Sequence, residues 1–226
     1  MARPKECDRE NIRALVLEKA KELFLNVGYS KITIRKIAEA IGYTPGTIYL
    51  YFKNKEEILY ELHNEGFQLL YHYKLKTVEP KDATAFSRLR EGGKIYITFA
   101  LEHPDYYELM FNMPEPRNYL AQLQNTAGEC DMSVDYAMRS YEFLKQNIQA
   151  CIKEGYLPNA DQDVMTVVFW SFVHGLASLI IRKRIPYPQA ASQAFADMAI
   201  DFFMAAINQQ NHHFNPKELS YENPQN

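Results

Sequence analysis

The feature that most constrains this sequence is a pair of short amphipathic segments between Thr33 and Lys55, separated by only a few residues. In the first segment the apolar residues recur at helical spacing, and a glycine that stops a helix follows them: Ile34, Ile37, Ala38, Ile41 and then Gly42. The second segment opens with Thr44-Pro45-Gly46, a capping residue followed by a proline at the first helical position. Two short helices joined by a tight turn are predicted, which is a helix-turn-helix.

Charge is distributed unevenly around this motif. The net charge is -3, but the residues up to Lys55 contain 11 Lys and Arg against 6 Asp and Glu, whereas the remainder contains 14 against 22. In a helix-turn-helix the second helix enters the DNA major groove, and the first crosses the backbone. A basic end beside such a motif predicts double-stranded DNA as a partner, bound less tightly as salt rises.

Three side chains are candidates for DNA contacts, two at the start of the first helix of the motif and one just after the motif. Thr33 stands where a hydroxyl would cap the helix, and the free amides of that helix end also suit a phosphate. Arg35 faces away from the apolar stripe and could reach a base or a phosphate. Lys55 lies in the first turn of a later helix, where a cation opposes the macrodipole, so a phosphate is expected to compensate it.

The second helix of the motif offers further contacts. Thr44 is its predicted cap, Pro45 its first residue, and Gly46 would let the backbone approach a surface closely. Because Ile48 and Phe52 face inward, the outward side chains are Thr47, Tyr49 and Tyr51. The two tyrosines fit DNA contacts and half-buried packing positions equally well.

The rest of the chain also has helical patterns, so an all-α fold is predicted. A first amphipathic helix should cover the back of the motif, and Asn54 with Glu57 forms a capping-box pattern at the start of a fourth. We expect helices over Asp8–Val27, Asn54–Lys76, Asp82–Glu102, Asp105–Phe111, a long segment from Val134 ended by Gly155 and Pro158, Asp161–Arg184 and Pro188–Asn208. The residues after Asn208 are rich in Asn, Gln, His and Pro and are predicted to form a disordered tail.

The motifs together resemble the TetR family of bacterial transcriptional regulators. The resemblance is carried by Gly28-Tyr29, Thr33-Ile34-Arg35-Lys36-Ile37-Ala38, Ile41-Gly42 and Gly46-Thr47-Ile48-Tyr49-x-Tyr51-Phe52-x-x-Lys55-Glu56-Glu57. It implies a DNA-binding domain over residues 1–54, a helical effector-binding and dimerisation domain over 55–208, and a tail over 209–226. It also implies a homodimer built from the last two long helices.

Site residues carried over by position follow from the same resemblance. Thr33, Tyr49 and Lys55 look like phosphate contacts, and Arg35, Thr44, Pro45 and Thr47 look like base-reading or groove-facing positions. Further along, the segment Ala100–Phe111 and the pattern Trp170-x-x-x-His174-Gly175 resemble the subgroup whose C-terminal domain is named for its Trp, His and Gly. Neither pattern names a ligand.

Trp170 and His174 lie one helical turn apart and share a helix face. One interpretation is a ligand pocket with a polar anchor, and the other is a core histidine held by a neighbour. Side chains that could line the same pocket, or simply form core, are Tyr96, Phe99, Met110, Phe111, Met138 and Tyr141. The many aromatic residues suit an apolar or aromatic effector, and the acidic domain leaves a cationic one open.

The apolar stretch from Val164 to Ile181 carries no charged residue. A membrane span needs about 20 such residues, so a buried helix is expected instead. The small residues Ser171 and Gly175, together with the alanine-rich final helix, would permit the close crossings of a dimer interface. No membrane partner is predicted.

Enzyme chemistry has little basis in the sequence. There is no nucleophile elbow, phosphate loop or metal-ligand pair on a helix, and a catalytic role would depend on His174 with a distant carboxylate such as Glu142. Neither cofactor nor metal is expected, because His212-His213 lacks ligand spacing and the three cysteines match no zinc site or disulfide framework. The cysteine content fits a reducing cytoplasm.

The sequence thus predicts a dimeric transcriptional repressor that binds a palindromic operator and is released by a small-molecule effector. A transcriptional activator or an effector-independent DNA-binding protein of the same fold is the alternative. A small-molecule-processing enzyme is the alternative of another class.

Overall fold

The computed structural model describes residues 6–76, 83–113, 135–157, 160–185 and 191–210, without the side chains of 6–10, 209 and 210. These residues form helices and connecting turns, with no strand among them. The helices are α1 Glu6–Val27, α2 Ile34–Ala40, α3 Pro45–Tyr49, α4 Lys55–Leu75, α5 Ala85–Glu102, α6 Pro104–Asn112, α7 Tyr136–Lys153, α8 Gln162–Ile181 and α9 Ser192–Gln210, with a 3₁₀ turn at Tyr29–Lys31. The all-α prediction is confirmed.

Contacts divide the chain into two compact units that do not follow chain order. The first unit is Met1–Leu69 with His103–Ala137, and the second is Leu70–Glu102 with Met138–Asn226. Helix α6 therefore belongs by its contacts to the unit that contains the helix-turn-helix. The functional division predicted near residue 54 stays a prediction, and the described part of the predicted tail ends at Gln210.

The first unit is organised around the apolar faces of α1, α2 and α3. Phe24, Ile37 and Ile48 are fully buried, and Phe52 just after α3 is almost so. They belong to one cluster with Leu59 and other apolar side chains of α4 and α6. The hydrophobic spacing read from the sequence thus turns the first three helices into a single packed body that fixes the orientation of α3.

The predicted helix caps are present. The Thr33 hydroxyl accepts a hydrogen bond from the backbone N–H of Lys36, and Gly42, at φ 74°, makes the turn after α2. Asn54 Oδ1 accepts from the Glu57 N–H at 2.8 Å. The Glu57 carboxylate also reaches back before the helix and accepts a hydrogen bond from the Lys53 N–H.

The second unit is built on the packing of α5 against α8 and α9. Gly93, in the middle of α5, makes the close approach possible. A methyl group added there would lie 3.2 Å from the Phe169 ring, 3.4 Å from Val173 and 3.5 Å from Ile200. The Gly92-Gly93 pair that weakens the helix by propensity therefore lets two neighbouring helices share its surface.

Helix α8 is shorter than predicted. It begins as expected, with the Asp161 carboxylate accepting from the Val164 N–H, but it ends at Ile181 and not at Arg184. Lys183 adopts a left-handed conformation at φ 53° and donates to the Ile180 carbonyl, which closes the helix. The basic residues 182–184 thus follow the last turn of the helix instead of forming it.

The surface of α8 also differs from the expected buried helix. By length and composition, α8 is the one helix of the described residues that could cross a membrane. Only a third of its most apolar window is buried inside the chain. An exposed apolar stripe runs along it, formed by Val164, Val167, Val168 and Leu179. Helix α9 has a similar exposed stripe with Met198 and Phe202, the latter 78% exposed. Exposed apolar side chains grouped on one helix face are typical of an interaction surface.

Candidate nucleic-acid interface and ligand cavity

Helix α3 is held with its N-terminal end exposed. The Thr44 hydroxyl accepts from the Thr47 N–H at 3.3 Å and lies 3.0 Å from the Thr47 hydroxyl. Pro45 occupies the first turn, where its missing N–H costs no hydrogen bond, and Gly46 beside it is exposed. The predicted groove-facing residues are thereby brought to one helix end, anchored from behind by the buried Ile48.

Thr33 and Arg35 lie exposed at the start of α2. The hydroxyl of Thr33 is engaged as a cap, and the Arg35 guanidinium pairs with Glu39 one turn further on at 2.8 Å. The arginine side chain is 80% exposed, so this ion pair is solvent-screened and weak. Arg35 can exchange Glu39 for a nucleic-acid contact at little cost.

Lys55 has a role that the sequence did not suggest. Its ammonium donates to the backbone carbonyls of Tyr29 and Ile32, at 2.8 and 2.9 Å, and lies 3.9 Å from the centre of the Tyr29 ring. Partial burial lowers the pKa of this amine from its usual range. Lys55 thus fastens the segment between α1 and α2 to the first turn of α4, and its predicted phosphate contact stays a prediction.

The tyrosines of the motif differ in exposure. Tyr49 is 56% exposed, as a contact residue would be, whereas Tyr51 is partly buried against the apolar cluster of the first unit. Leu50, which sequence reasoning passed over, is 77% exposed between them. The exposure of Leu50 could have been predicted from the sequence pattern, because Ile48 and Phe52 face inward and the residue midway between them must face outward.

A cavity of about 400 Å³, counted to its open mouth, lies in the second unit between α5, α7, α8 and the last turn of α4. Its walls are mostly aromatic and aliphatic, with three polar or charged side chains among them. The lining residues are Lys74, Arg88, Leu89, Gly92, Tyr96, Phe143, Leu144, Asn147, Phe169, Trp170 and Val173.

Two of the predicted pocket residues, Tyr96 and Trp170, line this cavity. His174 lies behind them. Its Nδ1 is 3.1 Å from the Tyr96 hydroxyl, and burial lowers the pKa of the imidazole. Tyr141 packs its ring edge against Trp170, with centroids 6.4 Å apart. Four of the predicted residues are thus brought together, two on the cavity wall and two in contact with that wall.

The other predicted pocket residues lie elsewhere. Phe99 is fully buried in the second unit and packs against Tyr73, and Met138 is 41% exposed. Met110 and Phe111 belong to the first unit, where the Phe111 ring contacts the ring of Tyr107. Their assignment to a ligand pocket stays a prediction without a cavity contact in the described residues.

The cationic residues of the cavity were missed by sequence reasoning. Lys74 is partly buried near the end of α4 and donates to the Ser140 carbonyl at 2.9 Å, and burial of the amine lowers its pKa to about 7. Arg88 donates to the Ala83 carbonyl and lies 3.9 Å from the Glu154 carboxylate. The sequence pattern does not distinguish these two residues from surface charges, because a charged residue on an amphipathic helix ordinarily faces solvent.

Two family models match this chain. Residues 16–62 match the bacterial regulatory proteins of the tetR family, and residues 89–203 match the tetracyclin repressor-like C-terminal domain. The chain belongs to the TetR family. The first match covers α2, α3 and their caps, so this TetR-family chain carries its helix-turn-helix where the family has it. The likeness to the Trp-His-Gly subgroup stays a prediction.

Individual relatives agree with this membership. The TetR-family chain is 46% identical over 50 residues to the fatty acid metabolism regulator protein of Bacillus subtilis, covering 22% of this chain and 26% of that one. It is 22% identical over 226 residues to the "Probable acrEF/envCD operon repressor" of Escherichia coli, covering 92% and 94%. The solved structure of the fatty acid degradation regulator FadR from Bacillus halodurans aligns with TM-score 0.63 at 17% identity, covering 86% and 95%.

The relatives and the family models place this TetR-family chain among transcriptional regulators that bind DNA. The structural match shows that the fold extends over both units and not only over the helix-turn-helix. Regulation of transcription through DNA binding is therefore the function of the chain as a whole.

Proposed function

We propose that this protein is a dimeric, ligand-responsive transcriptional repressor that binds a palindromic operator through α3. The observation that carries the proposal is the exposed N-terminal end of α3, capped by Thr44 and anchored by Ile48. Short side chains and a glycine at this end, Thr47 and Gly46, allow the backbone to approach base edges in a major groove. The Escherichia coli relative is named as an operon repressor, which supports repression as the direction of control.

A second copy of the chain is the partner that best fits the stripes of α8 and α9. Gly175 on α8 supports this, because nothing in the described residues lies within 4 Å of a methyl group added there. The close helix approach that a glycine permits is therefore available to another chain. Two copies paired through these helices would present two α3 helices to half-sites about 34 Å apart, one DNA turn.

The cavity of the second unit is the proposed effector site. An effector acts by binding one arrangement of the dimer more tightly than another, and operator affinity changes by the same coupling. Binding to an operator takes place where the DNA is, so the proposed location is the cytoplasm. A transcriptional activator of the same fold would differ in the response of the promoter. An effector-independent DNA-binding protein of the same fold would differ in the absence of a ligand response.

The test measures binding of the full chain to labelled fragments of its own promoter region. Binding is monitored by fluorescence anisotropy in the presence of competitor DNA. We expect one fragment to bind specifically. Arg35→Ala, at a predicted base-reading position, should lower that specificity, and Tyr49→Ala, at a predicted phosphate contact, should weaken binding to every fragment. Glu18→Ala, an exposed change on α1, is the matched control and should bind like the wild type. Absence of any fragment preferred over competitor DNA would contradict the proposal. An enzyme would instead turn over a substrate without DNA and ignore both changes.

A further inference from the structure

Among the large apolar side chains described in the first unit, Leu50 is the most exposed. Its exposed fraction is 77%, against 38% for Leu15 and 41% for Val27, which are also leucine or valine on helices of this unit. Single exposed leucines are common on protein surfaces, so exposure by itself assigns no role. The position of Leu50 on the helix-turn-helix does.

Helical geometry continues past the last residue of α3 and fixes the direction of Leu50. The backbone there is right-handed helical, at φ −73° and ψ −18°, and the Leu50 N–H donates to the Thr47 carbonyl at 3.2 Å. Two residues further on, the Phe52 N–H donates to the Ile48 carbonyl at 3.0 Å, as in an α-helix. With about 100° between successive residues, Leu50 lies on the side of the helix opposite the buried Ile48 and Phe52.

Leu50 shares this outward side with the start of α3. Gly46 and Thr47 are four and three positions before it, so the three residues line one helix face. A methyl group added to the exposed Gly46 would find, among the described residues, only the Thr44 hydroxyl within 4 Å. The Leu50 side chain therefore does not fold back over the glycine, and a surface that approaches Gly46 closely also meets Leu50.

The chemistry of the major groove offers one apolar group to such a side chain. Base edges in this groove present hydrogen-bond donors and acceptors, and thymine adds its C5-methyl group. A donor or acceptor that loses water against a leucine gains no hydrogen bond in return, which costs free energy. Burial of a methyl group against a leucine is favourable. Thymine is therefore the base that fits the outward position of Leu50.

We propose that Leu50 is a specificity-determining residue that packs against the C5-methyl group of a thymine in each half-site of the operator. This inference rests on the proposed function, because it takes α3 as the element that reads the operator. The two-fold symmetry of a dimer would repeat the thymine at the equivalent position of the second half-site. The contact involves no charge, so it contributes to specificity and not to the salt dependence of binding.

The test removes the thymine methyl group and leaves base pairing intact. The promoter fragment that binds specifically is prepared as synthetic duplexes in which each symmetry-related pair of thymines, in turn, is replaced by deoxyuridine. Full-length wild type and Leu50→Ala are titrated with every duplex by fluorescence anisotropy. Leu50→Met keeps an apolar side chain at this position, and Leu50→Gln replaces it with a polar one of similar length. Leu15→Ala is the matched control, an exposed leucine on α1 of the same unit.

We expect one pair of thymines at which deoxyuridine weakens wild-type binding about fifteenfold, from a loss of about fourfold in each half-site. Leu50→Ala should bind the unmodified operator at least about fifteenfold more weakly and should be indifferent to deoxyuridine at that pair. Leu50→Met should keep the response and Leu50→Gln should lose it, whereas Leu15→Ala should reproduce the wild type throughout. The affinity of Leu50→Ala for non-specific DNA, and its salt dependence, should be unchanged.

Two results would overturn the inference. One is a Leu50→Ala protein that responds to deoxyuridine at every position as the wild type does. The other is an equal loss of affinity for operator and non-specific DNA in this variant, which would assign Leu50 to the DNA backbone or to the fold. Circular dichroism compares the folded state of all variants.

Failure of this inference is distinguishable from failure of the proposed function. A protein that binds a promoter fragment specifically, without a methyl response that depends on Leu50, loses only the thymine contact. A protein that prefers no fragment over competitor DNA loses the proposed function and the Leu50 contact with it.

Discussion

Gly66 on α4 and Met110 on α6 pack so closely that a methyl group added to the glycine would lie 2.6 Å from the methionine sulfur. Gly66→Ala therefore forces Met110 to move, and Tyr106, at 3.2 Å, leaves little room for that movement. Overpacking costs about 1–3 kcal/mol, and the better helix propensity of alanine returns up to about 1 kcal/mol. We expect a net loss of about 1–2 kcal/mol in the free energy of unfolding, measured by urea denaturation.

Gly92→Ala is the matched control for that change. Gly92 also lies inside a helix, but nothing comes within 4 Å of an added methyl group. The helix propensity then acts alone, and the free energy of unfolding should rise by about 0.5–1 kcal/mol. Equal effects of the two substitutions would mean that the Gly66–Met110 contact is not a packing constraint.

Lys55→Ala should weaken binding to all DNA sequences, because the predicted phosphate contact is independent of sequence. Removal of one phosphate contact should flatten the plot of log K against log salt by about 0.9. The measurement is a salt titration of operator and non-specific DNA, from which both slopes are obtained. A lower affinity with an unchanged slope would assign Lys55 only to the Tyr29 and Ile32 carbonyls that it holds.

Phe202→Glu should dissociate the proposed dimer, because it places a charge in the exposed apolar stripe of α9. Leu50→Glu is its control, since Leu50 is 77% exposed and Phe202 is 78% exposed, but only Phe202 lies on that stripe. Sedimentation velocity at several protein concentrations measures the oligomeric state of the two variants. Dissociation by both changes, or by neither, would locate the dimer interface elsewhere.

Lys74→Met should make the stability of the protein less dependent on pH. The amine has a pKa of about 7 in the folded chain, against an ordinary value of 10.5. Between these values the unfolded chain holds the extra proton, so the stability contributed by this group is present above pH 10.5 and is lost as pH falls to about 7. The free energy of unfolding of the variant should therefore exceed that of the wild type most below pH 7. Above pH 7 this difference should shrink by up to about 1.4 kcal/mol per pH unit. Chemical denaturation at pH 6, 8 and 9.5 measures that difference, and a constant difference would contradict the shifted pKa.

The helix-turn-helix was predictable because local rules determine it. Thr33, Thr44 and Asn54 cap their helices through hydrogen bonds that span three residues, and Gly42 makes the turn by its own backbone conformation. Such features depend on residues close in the chain, so the sequence pattern contains them. The spacing of the buried Ile37 and Ile48 likewise assigned the inward faces of α2 and α3 correctly.

The cavity was harder to predict, because it depends on which helices meet. Tyr96 and Trp170 were predicted as pocket residues from their type, but Lys74 and Arg88 join them only through the packing of α4 and α5 against α7. Met110 was grouped with them and instead packs against Gly66 in the other unit. The early end of α8 also escaped prediction, because it depends on the left-handed conformation of Lys183, a residue type that rarely adopts it.

The apolar stripes of α8 and α9 would tie control of the promoter to the number of chains in the cell. If pairing through these stripes is what presents two recognition helices, the concentration of the active form below the dimer dissociation constant grows as the square of the chain concentration. Halving the concentration of the chain would then quarter the concentration of dimers and reduce operator occupancy more than in proportion. A surface that buries a few valines and a phenylalanine would in this way set the dose at which the gene is silenced.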